Sequence, residues 1–197
     1  LIILLFSFLT FANPHLTNAF DRTTFVTIAN PVRGYEGWTG EKFQTPLDLP
    51  KFQYHEATFS AQPITWLLRF DAVKDATISG FFRTLTATDS SQTVGAFLEI
   101  TPSLNDLVNV PRPRSGYFLQ PPGVFLTGYN QQDRIKLIDA YMVEFYKTFG
   151  YFPRSVAAWY IDSFSLEYLS VKYSVTAAIL CDEQYTTVAY RICGAYL

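Results

Sequence analysis

The chain is 197 residues long, 49% apolar and 16% charged, with a formal net charge of -2. That length and apolar content are enough to bury a sizeable core in one domain, and they exclude a disordered chain. The near-neutral balance, with Arg112 and Arg114 in a Pro-rich stretch as its densest basic pair, excludes a nucleic-acid surface, which needs a basic stripe to neutralise phosphates.

Residues 1–12 are almost wholly apolar and read as the end of a signal peptide or membrane anchor, truncated upstream and followed to residue 20 by a polar linker. A buried N-terminal strand or helix is the alternative. The leader reading predicts one domain over residues 21–197, continuing beyond the C-terminus. It also predicts an extracytoplasmic protein, either secreted or attached to a membrane through its N-terminus. In that compartment Cys181 and Cys193 can form a disulfide, although two ordinary buried cysteines fit the spacing equally.

Residues 24–29 are β-branched and aromatic and predict a buried first strand ending at Asn30. A long loop over residues 32–50 follows, rich in Gly, Trp and Pro and carrying Arg33, Glu36 and Trp38. Residues 49–61 predict a helix with Pro50 in its first turn. Residues 64–70 predict a second strand that ends at Asp71, residues 76–85 a helix, and residues 94–100 a third strand carrying Glu99 near its end. A short helix is expected over 102–108, then a loop or irregular excursion over 111–128.

The helix predicted over 130–149 has Ile135, Ile138, Met142, Phe145 and Phe149 at steps of three or four, with Gly150 as terminator. A strand over 155–161 is ended by Asp162, a helix runs over 163–173, and a strand over 175–180 leads into Asp182, Glu183 and Gln184. Alternating strands and helices with such crossovers predict parallel βαβ units. Their number fits a parallel β/α barrel, incomplete or distorted, with its helices outside.

In such folds the active site forms at the carboxyl ends of the strands. Glu99 and Asp162 are the acids best placed to act together, as glycoside hydrolysis requires of one protonated and one ionised carboxyl group. Asp162 reads equally well as a helix N-cap, and Glu99 has the alternative of a salt-bridged strand end. Asn30, Arg33, Arg69 and Asp71 are candidates for binding sugar hydroxyls, Arg69 and Asp71 being equally able to pair with each other and with Arg33. Trp38 and Trp159 offer faces for sugar rings, and Asp182 and Gln184 complete an acidic mouth. Trp66, inside a strand, reads as structural. Gly34, Gly37 and Gly40 lack the strand and helix context of a phosphate cradle, so no nucleotide is expected.

The run Phe149-Gly150-Tyr151-Phe152-Pro153-Arg154-Ser155-Val156, between a long helix and a strand, resembles a segment of the polysaccharide deacetylases. Ser165-Leu166-Glu167-Tyr168-Leu169 and Tyr173-Ser174-Val175-Thr176-Ala177 resemble that family's next helix and strand, and Thr65 to Ala72 its second strand. The resemblance spans roughly residues 24–181 and is to an uncharacterised bacterial branch of the glycoside hydrolase/deacetylase β/α-barrel superfamily. It implies a hydrolase-like domain acting on a polysaccharide or cell-wall glycan, or a carbohydrate-binding domain that kept the barrel without the chemistry.

The family's metal ligands, an Asp-Asp pair after the first strand and His-x-x-x-His after the third, are replaced here by Asn30-Pro31-Val32-Arg33 and Glu99-Ile100-Thr101-Pro102. Its Arg-x-Pro loop gives way to Ala157-Ala158-Trp159, and the only histidines are His15 and His55. Neither a metal nor another cofactor is therefore expected.

Overall fold

The computed structural model describes residues 3–4, 27–37, 45–60, 62–113 and 121–180. Six strands form one sheet in sequence order: β1 (Ile3–Leu4), β2 (Thr27–Val32), β3 (Ile64–Leu68), β4 (Gln92–Phe97), β5 (Ser155–Ala157) and β6 (Ala177–Ile179). β2 to β6 are parallel, and β1 lies antiparallel on β2. The parallel strands curl into an incomplete α/β barrel with helices around it, as the alternating pattern predicts. Ile3 and Leu4, inside the stretch read as a leader, pair with Ile28 and Thr27. Among the described residues no helix is long and apolar enough to cross a membrane.

The connecting helices are α1 (Asp48–Ser60), α2 (Phe70–Lys74), α3 (Ala76–Thr88), α4 (Pro102–Val108), α5 (Pro121–Val124), α6 (Gln131–Phe149) and α7 (Ser163–Tyr173), with a 3-10 turn at Leu126–Gly128. Their ends follow elementary capping. Asp75 accepts from the N–H groups of Thr77 and Ile78 at the start of α3, and Asn130 accepts from Asp133 N at the start of α6. Gly150 closes α6 at φ 80°, the left-handed conformation glycine adopts without penalty.

Strand alternation divides the sheet into two faces. Ile64, Trp66, Leu68, Val94 and Ala96 point outward into the main core with Phe82, Tyr141 and Phe145 of the helices. Trp66 is fully buried and donates Nε1–H to Gln92 Oε1 at 2.9 Å, so its role is packing. The alternate residues Leu67, Phe97 and Ala157 form a smaller inner cluster with Ala29, Trp159 and Ile179.

Several boundaries differ from the sequence pattern. β2 continues through Asn30 and Pro31 to Val32, because β1 covers only Thr27 and Ile28 and the missing Pro31 donor falls on an edge that no other described strand covers. β3 stops at Leu68, Phe70 opens α2, and β4 ends at Phe97, with Glu99 making an isolated bridge to Phe125. β5 has three residues where the apolar run has seven. The excursion over 111–128 contains α5 and the 3-10 turn.

Candidate functional site

Beyond the carboxyl ends of β2 to β5, the inward alternation continues for one or two residues and brings Arg33, Arg69, Glu99 and Trp159 together. Backbone bonds extend the ladder there: Arg69 N donates to Val32 O at 2.9 Å, and Leu98 N to Ala157 O at 2.7 Å. Glu99 is 3% exposed and sits at the centre of the group. Its Oε1 accepts from Arg33 Nε at 2.8 Å and Arg69 Nη1 at 2.7 Å, and its Oε2 from Arg33 Nη2 and Trp159 Nε1, each at 2.7 Å. A carboxylate offers about four acceptor positions. All are taken.

Burial alone would push the Glu99 carboxyl up. The Arg33 guanidinium, the Trp159 indole and Arg69 outweigh burial and hold it down at about 2. For Arg69, burial pulls downward and Asp71 and Glu99 reverse it, raising the guanidinium above its ordinary value. Arg69 is fork-paired to Asp71 through Nε and Nη2, both at 2.7 Å. Such pairing offsets the cost of burying charge.

The loop after β2 is fastened onto this cluster. Glu36 N donates to Asp71 Oδ2 at 3.0 Å, and Arg69 Nη2 donates to Glu36 O at 2.5 Å. The Glu36 carboxylate accepts from Ser103 N at 3.2 Å and from the Ser103 hydroxyl. It thereby meets first-turn donors of α4, where negative charge is favoured. Gly34 makes the close approach possible, since a Cβ there would lie 2.7 Å from Asp71 Oδ2 and 2.9 Å from Ala72 N.

Arg33 keeps the most access to solvent, its side chain being 39% exposed. Its guanidinium lies over the rings of Phe97 and Trp159, 5.4 and 5.9 Å from their centroids. Trp159 is partly exposed, and Tyr35 in the β2–α1 loop is exposed. The rim thus presents a cation, two aromatic rings and a satisfied carboxylate.

Asp162 belongs to a different network. Its Oδ1 accepts from Ser165 N at 3.1 Å as the N-cap of α7, and its Oδ2 pairs with Arg134 Nη1. Arg134 is 2% exposed and also donates to Tyr129 O at 2.6 Å and Thr127 O at 3.3 Å. This network ties α6, the 3-10 turn and α7 together. Asn30 does not reach the rim: it lies between Ile28 and Val32 on the helix-facing side, 3% exposed, with Nδ2 unpartnered.

Of the remaining candidates, Trp38, Asp182 and Gln184 lie outside the described residues, as do Cys181, Cys193 and His15. His55 is exposed on α1. Sequence reasoning missed Gly34, the linking role of Glu36, Ser103 and Arg134. Only Ser103 carried a local signal, because Thr101-Pro102 marks a helix start with free first-turn donors.

The donor set does not suit the divalent metal of the resembling deacetylases. Among the described residues no group of three or more His, Cys, Asp or Glu side chains is placed to hold a metal ion. Glu99 already faces two guanidiniums that would repel a dication.

No protein-family model matches this chain, and no curated protein matches it. Among solved structures it is similar to the crystal structure of a putative glycoside hydrolase/deacetylase from Parabacteroides distasonis, with a TM-score of 0.52 and 16% identity. The match covers 80% of this chain and 35% of the other, so this chain spans about a third of that protein's length. At such identity the likeness establishes a shared barrel fold.

Proposed function

We propose that this chain is a carbohydrate-acting domain of hydrolase-like build whose sugar contacts are made at the Arg33–Glu99–Trp159 rim. The observation that carries the reading is the convergence of inward-facing residues from four consecutive strands on one charged, aromatic cluster at their carboxyl ends. The similarity to a glycoside hydrolase/deacetylase fold supports a glycan as the ligand. The apolar stretch 1–12 supports an extracytoplasmic setting.

The geometry favours binding over turnover. A base or nucleophile needs a free lone pair, whereas Glu99 has every acceptor position occupied and acts as the anchor that orients Arg33 and Trp159. Glycoside hydrolysis is the second reading, and one observation favours it: Arg33 and Arg69 hold Glu99 ionised, as the base or nucleophile of a carboxylate pair must be. The acid that this reading needs would be Asp162, and its engagement with Arg134 and the start of α7 counts against it.

Titration with cell-wall oligosaccharides, following Trp fluorescence and product release together, separates the readings. Binding without product supports a non-catalytic domain. Product formation that Glu99→Gln and Asp162→Asn each abolish supports hydrolysis by this pair. Absence of any fluorescence change across neutral and charged glycans would defeat the carbohydrate reading itself.

A further inference from the structure

A concavity lies at the end of the sheet opposite the rim, where the strands begin. β4 aligns with β5 only at Ala96 and Phe97, so among the described residues its first residues have β3 on one flank and no aligned strand on the other. The wedge left there is a cleft of about 410 Å³. That is within the range of roughly 300–1,000 Å³ in which small ligands bind.

The wall of this cleft is mainly apolar surface set with hydroxyl groups. Thr65 and Thr93 hold their Oγ1 atoms 3.0 Å apart across β3 and β4, and Ser155, Thr176 and Tyr151 complete the polar lining with Arg154. Thr93, Tyr151, Arg154 and Thr176 are exposed. Arg154 is the one charged residue of the lining, and among the described residues it makes no ion pair. At the rim every guanidinium is met by a carboxylate. Here none is supplied by the described residues.

We propose that this cleft is a binding subsite for an acidic sugar, a hexuronate unit whose carboxylate pairs with Arg154. The planar guanidinium fork matches a carboxylate in two parallel hydrogen bonds. Thr93, Ser155 and Thr176 both donate and accept, as sugar hydroxyls do. Tyr151 offers a ring face for the apolar side of the pyranose. The subsite goes beyond the reading of the rim and does not rest on it, because the two share no residue.

The test is titration of the full 197-residue chain with digalacturonate, with cellobiose as neutral counterpart and sodium sulfate as bare anion, followed by amide NMR shifts. Digalacturonate is expected to move the resonances of Thr93, Arg154, Ser155 and Thr176. Cellobiose is expected to bind about tenfold more weakly, for want of a charge-assisted bond. Arg154→Gln and, separately, Thr93→Val are expected to weaken digalacturonate by about tenfold and about threefold, with the α6 amides unchanged as a check on folding. Shifts confined to Arg33 and Trp159, equal binding of cellobiose or sulfate, or an Arg154→Gln variant that binds as tightly as the parent would each overturn the proposal.

Discussion

Two guanidiniums and an indole N–H converge on a single carboxylate at Glu99, so its charge is a condition of the rim's geometry. The folded carboxyl titrates at about 2 against an ordinary 4.5, which means that folding favours the deprotonated form. The stabilisation is therefore complete above pH 4.5 and is lost as the pH falls through about 2. Glu99→Gln removes it at every pH. At pH 7 we expect a loss of about 3 kcal/mol, the lower end for breaking a buried pair, because Arg69 retains Asp71. Urea midpoints measured from pH 7 to pH 2 check both points: the variant should start lower and fall less steeply. An unchanged midpoint at pH 7 would show that Glu99 bears no structural load. Gly34 makes a complementary prediction. A methyl group there meets Asp71 and the Ala72 backbone, so Gly34→Ala must lift the β2–α1 loop at a cost of about 1–3 kcal/mol. The sharper effect is expected on glycan binding, read by Trp fluorescence, since Arg33 and Glu36 flank the displaced position.

Helix α6 shows what local chemistry settles without tertiary help. Asn130 caps its start and Gly150, at φ 80° with open space around its α-carbon, ends it. Asn130→Ala and Gly150→Ala should each cost about 1 kcal/mol, and their separation makes the losses additive. The double variant is expected to melt roughly 4–8 °C lower by circular dichroism. Elements governed by such signals were legible: α4 and α7 have the bounds their sequences predict, with Thr101 and Asp162 as caps. Strand ends were less so. The apolar run over 155–161 reads as one strand, yet Trp159 has left the ladder to donate to Glu99. Asn30 looks like a strand end only because Pro31 looks like a terminator, and a sheet edge free of other described strands removes that constraint. Within the rim, the pairing of Arg69 with Asp71, two residues apart, was one of the two readings open to sequence. The contacts of Glu99 with Arg33 and Arg69 span 66 and 30 residues, and no local pattern encodes them. The same distance problem hid Arg134, which holds Asp162 from 28 residues away.

Across the whole molecule, the sheet is unevenly knit. β2 with β3 and β3 with β4 each align five residue pairs, whereas β4 with β5 aligns two and β5 with β6 three. The outer helix α7 is held to α6 partly by a network in which Asp139 accepts from Tyr168, the buried Tyr173 and, at the surface, Lys172. Exposed pairs of that kind add little stability. The β5–α7–β6 unit therefore has fewer ladder bonds and weaker ties than the β2–β4 unit, where Trp66, Phe82 and Leu68 are wholly buried. Regions with fewer protected bonds open at lower free energy than the whole. Native-state hydrogen exchange in low urea should show the amides of β5, β6 and α7 opening together, a few kcal/mol below those of β3 and β4, with a smaller urea dependence. Trp159 lies on the weaker unit and Arg33 and Glu99 on the stronger, so the rim straddles the boundary between them. A glycan held by both Arg33 and Trp159 should close that gap, raising protection in β5 and α7 selectively. Identical opening free energies and urea dependences for the two units would show that the barrel fragment unfolds as one piece, and that ligand at the rim has no weaker half to stabilise.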